Sequence, residues 1–170
     1  MSLTFVIGGA RSGKTSYALA QAQARPAQRL VMIATAEALD EEMAARIARH
    51  REERGQAWTT IEAPLALVSA VKTLQPGDVA VIDCLTLWLS NLLLGELDVA
   101  LAVEELSQAL TASPAEIIVI SNEVGQGIVP DNPLARRFRD EAGRMHQAIA
   151  GVADRAVLVV AGLPVTLKAS

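Results

Sequence analysis

The chain has 170 residues, 51% hydrophobic and 20% charged, with a formal net charge of −4. That balance excludes a disordered polymer. Two Trp, one Tyr and two Phe are the only aromatic residues, too few for a base-stacking platform, and the negative charge also argues against nucleic acid as a partner. One domain over residues 1–170 is expected.

Taken in chain order, short aliphatic runs alternate with longer amphipathic stretches. LTFVIG (3–8), RLVMIAT (29–35), DVAVID (78–83), EIIVIS (116–121) and AVLVVAG (156–162) read as buried parallel strands, because each is nearly continuous in apolar residues and too short for a typical helix. AWTTIEAP (57–64) reads as a further, edge strand closed by Pro64. Helices are expected over about 13–25, 36–54, 64–74, 84–94, 98–112 and 133–152. The alternation predicts an α/β fold, a mainly parallel sheet with helices on both faces. Cys84, the single cysteine, suits a reducing compartment and reads as core. The opening LTFVIGG has no leader-like pattern, and LTLWLSNLLL (85–94) is too short to span a bilayer. A cytoplasmic location without a membrane span is therefore expected.

GGARSGKT (8–15) fits G-x-x-x-x-G-K-[ST], with Gly8, Gly13, Lys14 and Thr15 at the defining positions and Gly9, Ala10, Arg11 and Ser12 between them. It follows an apolar strand and opens a helix, the context in which backbone N–H groups and a helix N-terminus cradle phosphates. Lys14 would reach the outer phosphates, and the Thr15 hydroxyl would ligate Mg²⁺. Asp83, ending a strand, is the candidate second Mg²⁺ ligand; the competing reading makes it the N-cap of the next helix.

ARIARHREER (45–54) sets His50 among arginines. On a helix Arg46, His50 and Arg54 share one face. Guanidinium neighbours favour the neutral, nucleophilic imidazole and would stabilise charge developing on a phosphoryl group. A covalent phospho- or nucleotidyl-histidine is one reading and a solvated helix face the other. SNEVGQGIVP (121–130) follows a strand at the carboxyl end of the sheet, where ligands bind in open α/β folds. Its glycines shape either a ligand site or a tight loop. His146 is expected on the surface of the last helix, with no assigned role.

The order GGARSGKT, IAT (33–35), DEEMAARIARHR (40–51), NEVGQGIVP (122–130) and NPLARRFRDEAGRMHQ (132–147) resembles the bifunctional adenosylcobinamide kinase/adenosylcobinamide-phosphate guanylyltransferase family. The resemblance implies phosphorylation of the adenosylcobinamide hydroxyl by ATP or GTP. Transfer of GMP from GTP through a guanylyl-histidine would follow, with His50 and Lys14 catalytic. It implies nucleotide contacts from residues 8–15, from Ile33, Ala34 and Thr35, from Arg51, Glu52, Glu53 and Arg54, and from Glu62 and Asp83. Glu62 could accept hydrogen bonds from the guanine N1–H and amino group, the competing reading being an ordinary exposed Glu at the end of an edge strand. A homotrimer is also implied, although the stretch after SNLLLGE (90–96) is shorter than in some relatives. A plain small-molecule kinase with His50 idle, or a nucleotide-dependent interaction module, are the rival readings.

Overall fold

The structure, a computed structural model, describes residues 2–36 and 57–169. The expected helix at 36–54 and the residues His50, Arg51, Glu52, Glu53 and Arg54 therefore lie outside the described residues, Ala36 apart.

Each aliphatic run becomes a strand: β1 (Leu3–Gly8), β2 (Arg29–Ala34), β3 (Trp58–Glu62), β4 (Asp78–Asp83), β5 (Glu116–Asn122) and β6 (Arg155–Val160). A seventh, β7 (Leu163–Lys168), joins them in one sheet of order β3-β2-β4-β5-β1-β6-β7. All neighbours are parallel except β6 and β7, which form an antiparallel hairpin. Among the described residues the helices are α1 (Lys14–Gln23), α2 (Leu67–Lys72), α3 (Leu85–Leu94), α4 (Val99–Ala112) and α5 (Pro133–Val152).

Successive strand residues point to opposite faces, and the core divides accordingly. Val6, Met32, Val81, Ile118, Ile120 and Val157 pack with Ala18 and Ala22 of α1. Phe5, Ile7, Val31, Ile33, Ile82 and Val119 pack on the other face with apolar residues of α2 to α5, including the fully buried Leu67, Trp88 and Leu106. LTLWLSNLLL is thus consumed largely within this core, with Leu94 left exposed. Asp98 caps α4 through Leu101 N, and Asn132 caps α5 through Leu134 N and Ala135 N, with Pro133 in the first turn.

Two expectations change. Residues 156–162 do not form one strand, because Ala161 and Gly162 both have positive φ (52° and 79°), the two-residue turn that suits a twisted hairpin. Its return strand β7, LPVTLK, is exposed at all six positions, so it carries none of the apolar continuity by which the buried strands are read. His146 lies not on the surface but inside, with Ala142, Met145 and Ile149 of α5. Among the described residues no helix is long and apolar enough to cross a membrane.

Candidate active site

The loop joining β1 to α1 owes its shape to backbone. Arg11 and Gly13 have positive φ (54° and 92°), an arrangement that turns successive N–H groups toward one concavity. Gly13 is the N-cap of α1 and offers no side-chain cap, whereas α4 and α5 have theirs. The first N–H groups of α1 therefore remain available to an anion. Gly8 must be glycine: a Cβ there would sit 2.6 Å from both Ser12 Oγ and the Val159 carbonyl. Lys14 is buried and its Nζ donates to the Gly9 carbonyl at 3.0 Å, curling back over the loop. Ser12 Oγ is buried without a hydrogen-bond partner among the described residues, a polar atom that a bound phosphate oxygen would satisfy.

Asp83 ends β4 two strands away, and Thr15 Oγ1 donates to its Oδ2 at 3.4 Å. The N-cap of α3 is Cys84, not Asp83, so the geometry takes the carboxylate toward the phosphate loop. A hydroxyl beside a carboxylate is an oxygen donor set that fits Mg²⁺, which takes the rest of its shell from phosphates and water. No larger group of His, Cys, Asp or Glu forms a metal cluster among the described residues. Burial raises the Cys84 thiol, with Asp83 adding to the effect, so the sulfur stays protonated. Around it Thr35 Oγ1 donates to the Cys84 carbonyl at 2.7 Å and accepts from Cys84 N at 2.9 Å. Asn122 Nδ2 donates to Thr86 Oγ1 at 2.9 Å. Asn91 Nδ2 donates to the carbonyls of Thr35 and Pro64, both at 2.9 Å.

Two supports of the loop were not read from the sequence. On one side the hairpin tip donates from Gly162 N to the Ser12 carbonyl at 2.8 Å, and Gly162 Cα lies 3.2 Å from where a Gly13 Cβ would be. On the other, Glu123 N donates to the Gly8 carbonyl at 2.9 Å. Below Glu123, Ser121 Oγ and His146 Nε2 are 2.8 Å apart, and the imidazole tilts against Phe5 with ring centroids 5.8 Å apart. Burial depresses the His146 pKa below 6.5, opposed by the Glu123 carboxylate. The Ala142, His146, Ile149 spacing of a core-facing helix stripe was the available signal for that histidine.

Residues 4–167 match the family model described as cobinamide kinase / cobinamide phosphate guanyltransferase. The chain belongs to this family. It is 46% identical over 166 residues to the bifunctional adenosylcobalamin biosynthesis protein CobP of Pseudomonas aeruginosa, covering 96% of this chain and 95% of that one. With the bifunctional adenosylcobalamin biosynthesis protein CobU of Salmonella typhimurium it shares 40% over 182 residues, covering 98% and 99%. Solved structures show the fold alone. An ATPase of a type III secretion system aligns with TM-score 0.57 at 12% identity, over 97% of this chain and 56% of that one. The RadB recombinase aligns with TM-score 0.56 at 17%, over 92% and 73%. The protein is a transferase with a P-loop nucleotide-binding fold.

For a member of the cobinamide kinase/guanyltransferase family, the sheet divides the expected nucleotide residues into two groups. The phosphate loop, Thr15 and Asp83 converge. Ile33 and Ala34 end β2, three strands from β1, and Glu62 ends the edge strand β3, four strands from β1, or roughly 19 Å at the usual strand spacing. Ile33 is fully buried and the Thr35 hydroxyl is engaged by Cys84, so this segment offers a ligand its main chain and the half-buried Ala34 methyl, with the exposed Glu62 alongside.

Proposed function

We propose that the protein phosphorylates adenosylcobinamide with ATP or GTP and then transfers GMP from GTP to the resulting phosphate through a guanylyl group on His50, releasing pyrophosphate. The observation that carries this reading is the phosphate loop, with Lys14 folded over it and Thr15 against Asp83, in a chain of this family.

The uncapped N-terminus of α1 and the loop amides bind the nucleotide phosphates. The Lys14 ammonium, already in place above the loop, offsets the negative charge that grows as the bond to the leaving phosphate lengthens. Thr15 and Asp83 would hold Mg²⁺, which when bound neutralises phosphate charge and fixes the phosphates in line for transfer. Main-chain groups of residues 33–35, together with Arg51, Glu52, Glu53, Arg54 and Glu62, serve the guanine nucleotide. A histidine carrier divides nucleotidyl transfer into two in-line displacements at one phosphorus, each with a nitrogen or phosphate nucleophile suited to it. We assign the enzyme to the cytoplasm as a single-domain subunit of a homotrimer.

The test is incubation with Mg²⁺ and GTP labelled on the α-phosphate, followed by denaturing electrophoresis, with His50→Ala alongside. An acid-labile label on the wild type that is missing from the variant supports His50 as the carrier. An unlabelled wild type that nevertheless binds GTP removes the histidine from the mechanism and leaves a plain kinase.

A further inference from the structure

Making a phosphate ester from an alcohol requires a destination for the hydroxyl proton. Lys14, a cation, cannot supply one. Three carboxylates stand at or just after strand ends on the carboxyl edge among the described residues: Glu62, Asp83 and Glu123. Glu62 is four strands from the phosphate loop. Asp83 faces the Thr15 hydroxyl at 3.4 Å and belongs with it to the metal site. Glu123 is the one beside the loop. It follows Asn122, which pairs in register with Gly8, and its own N–H donates to the Gly8 carbonyl at 2.9 Å.

Its side chain is held as well. Glu123 is half-buried, and Oε1 accepts from Gly125 N at 2.6 Å across the first turn of SNEVGQG. A Cβ on Gly125 would come 3.0 Å from that oxygen, so the glycine lets the amide reach the carboxylate. One oxygen is thereby fixed to the loop, which orients the other.

We propose that Glu123 is the general base of the kinase step, a reading that rests on the kinase activity proposed above. The acceptor hydroxyl oxygen forms its bond to the γ-phosphorus as the bond from that phosphorus to the β–γ bridging oxygen breaks. The electron pair of the broken bond leaves with the nucleoside diphosphate, and the hydroxyl proton passes to the Glu123 carboxylate and from there to solvent. The second reaction makes no such demand. Its final nucleophile is a phosphate oxygen that is already anionic, so guanylyl transfer proceeds without Glu123.

Glu123→Gln separates the two roles of the side chain, because an amide oxygen still accepts from Gly125 N while the proton acceptor is gone. Two assays are run on the full chain: adenosylcobinamide with ATP, and separately prepared adenosylcobinamide phosphate with GTP. The expected result is a fall of roughly 10²–10⁴-fold in kcat for phosphorylation, an unchanged KM for ATP, and guanylyl transfer at the wild-type rate. Partial recovery of phosphorylation by Glu123→Ala on addition of formate would support the same conclusion. Undiminished phosphorylation by Glu123→Gln overturns the proposal. So does a parallel loss of both reactions, which would make Glu123 a brace for the loop. A wild type that never phosphorylates adenosylcobinamide would remove the kinase reading itself and this base with it, whereas an active Glu123→Gln removes the base alone.

Discussion

The amino and carboxyl edges of the same sheet use charge differently. At the amino edge Arg29 meets Asp78 through two hydrogen bonds of 3.0 and 2.6 Å, and Gln75 N donates to the same carboxylate at 2.8 Å. Nearby Arg25 donates to Glu116 at 2.9 Å, to Ser2 at 3.2 Å and to Thr4 at 3.3 Å. These groups close on one another and tie strand starts together. At the carboxyl edge Lys14 curls back to a loop carbonyl, Thr15 lies 3.4 Å from Asp83, and the buried Ser12 hydroxyl has no partner among the described residues. Trp58 Nε1, at the start of β3, is the one other buried side-chain N or O atom without a partner among the described residues, but the charged groups of the amino edge find their partners within the fold, whereas those that hold a ligand are positioned from behind and face forward.

The sharpest way to break this contrast is to delete a charge at each edge. Lys14→Ala should lower kcat for phosphorylation by roughly 10²–10³-fold, with the melting temperature close to wild type, since the ammonium curls back over its own glycine-rich loop at the Gly9 carbonyl and ties no strand to another through that bond. Steady-state kinetics and calorimetry on the same preparation check it. A variant that melted well below wild type would show that Lys14 belongs to the fold after all.

Asp78→Asn is the mirror experiment. The carboxylate is only 4% exposed and carries three hydrogen bonds, and Arg29 holds it below the usual carboxylate range. The Arg29 side chain is 40% exposed, so water recovers part of what it loses. A destabilisation of about 1–3 kcal/mol is expected, seen as a melting temperature lower by about 2–10 °C, with turnover at permissive temperature unchanged. Loss of turnover without loss of stability would mean that the two edges are coupled through β4, which begins at Asp78 and ends at Asp83.

The two edges also differ in how readily the sequence discloses them. β1, β2, β4, β5 and β6 are legible because parallel strands inside a sheet need nearly unbroken apolar runs, the edge strand β3 by its β-branched residues and closing Pro64, and GGARSGKT because phosphate binding demands glycines at fixed spacing. Residues answering to long-range packing are not. The hairpin tip at Gly162 contacts Ser12 across the whole length of the chain, and a twist-matched turn ending in glycine resembles a strand end when met alone. β7 escapes because its side chains are all exposed. His146 is legible only through its spacing with Ala142 and Ile149 along α5; its partner Ser121 comes from β5 and needs the fold. Asp83 sits between these cases. A strand-ending acid fits a cap or a metal ligand equally well, and only the fold brings Thr15 to it.

His146 gives the smallest expected effect, and it distinguishes the edges by pH. Burial holds the folded-state imidazole below 6.5 more strongly than the Glu123 carboxylate raises it, while in the unfolded chain it titrates near that value. Between the two values the unfolded chain binds the additional proton. Stability contributed by the neutral ring is therefore complete above about pH 6.5 and declines as pH falls through that window. For Asp78 the folded value is depressed below 3.8, so its contribution is complete above about pH 3.8 and lost below it. A melting-temperature profile should thus descend in two stages, the first from the carboxyl edge and the second from the amino edge. His146→Gln, which can still bond Ser121, should flatten only the first, and Asp78→Asn only the second. A first stage that survives His146→Gln would locate the titrating group elsewhere and would leave the Ser121–His146 pair as packing without a proton-linked role.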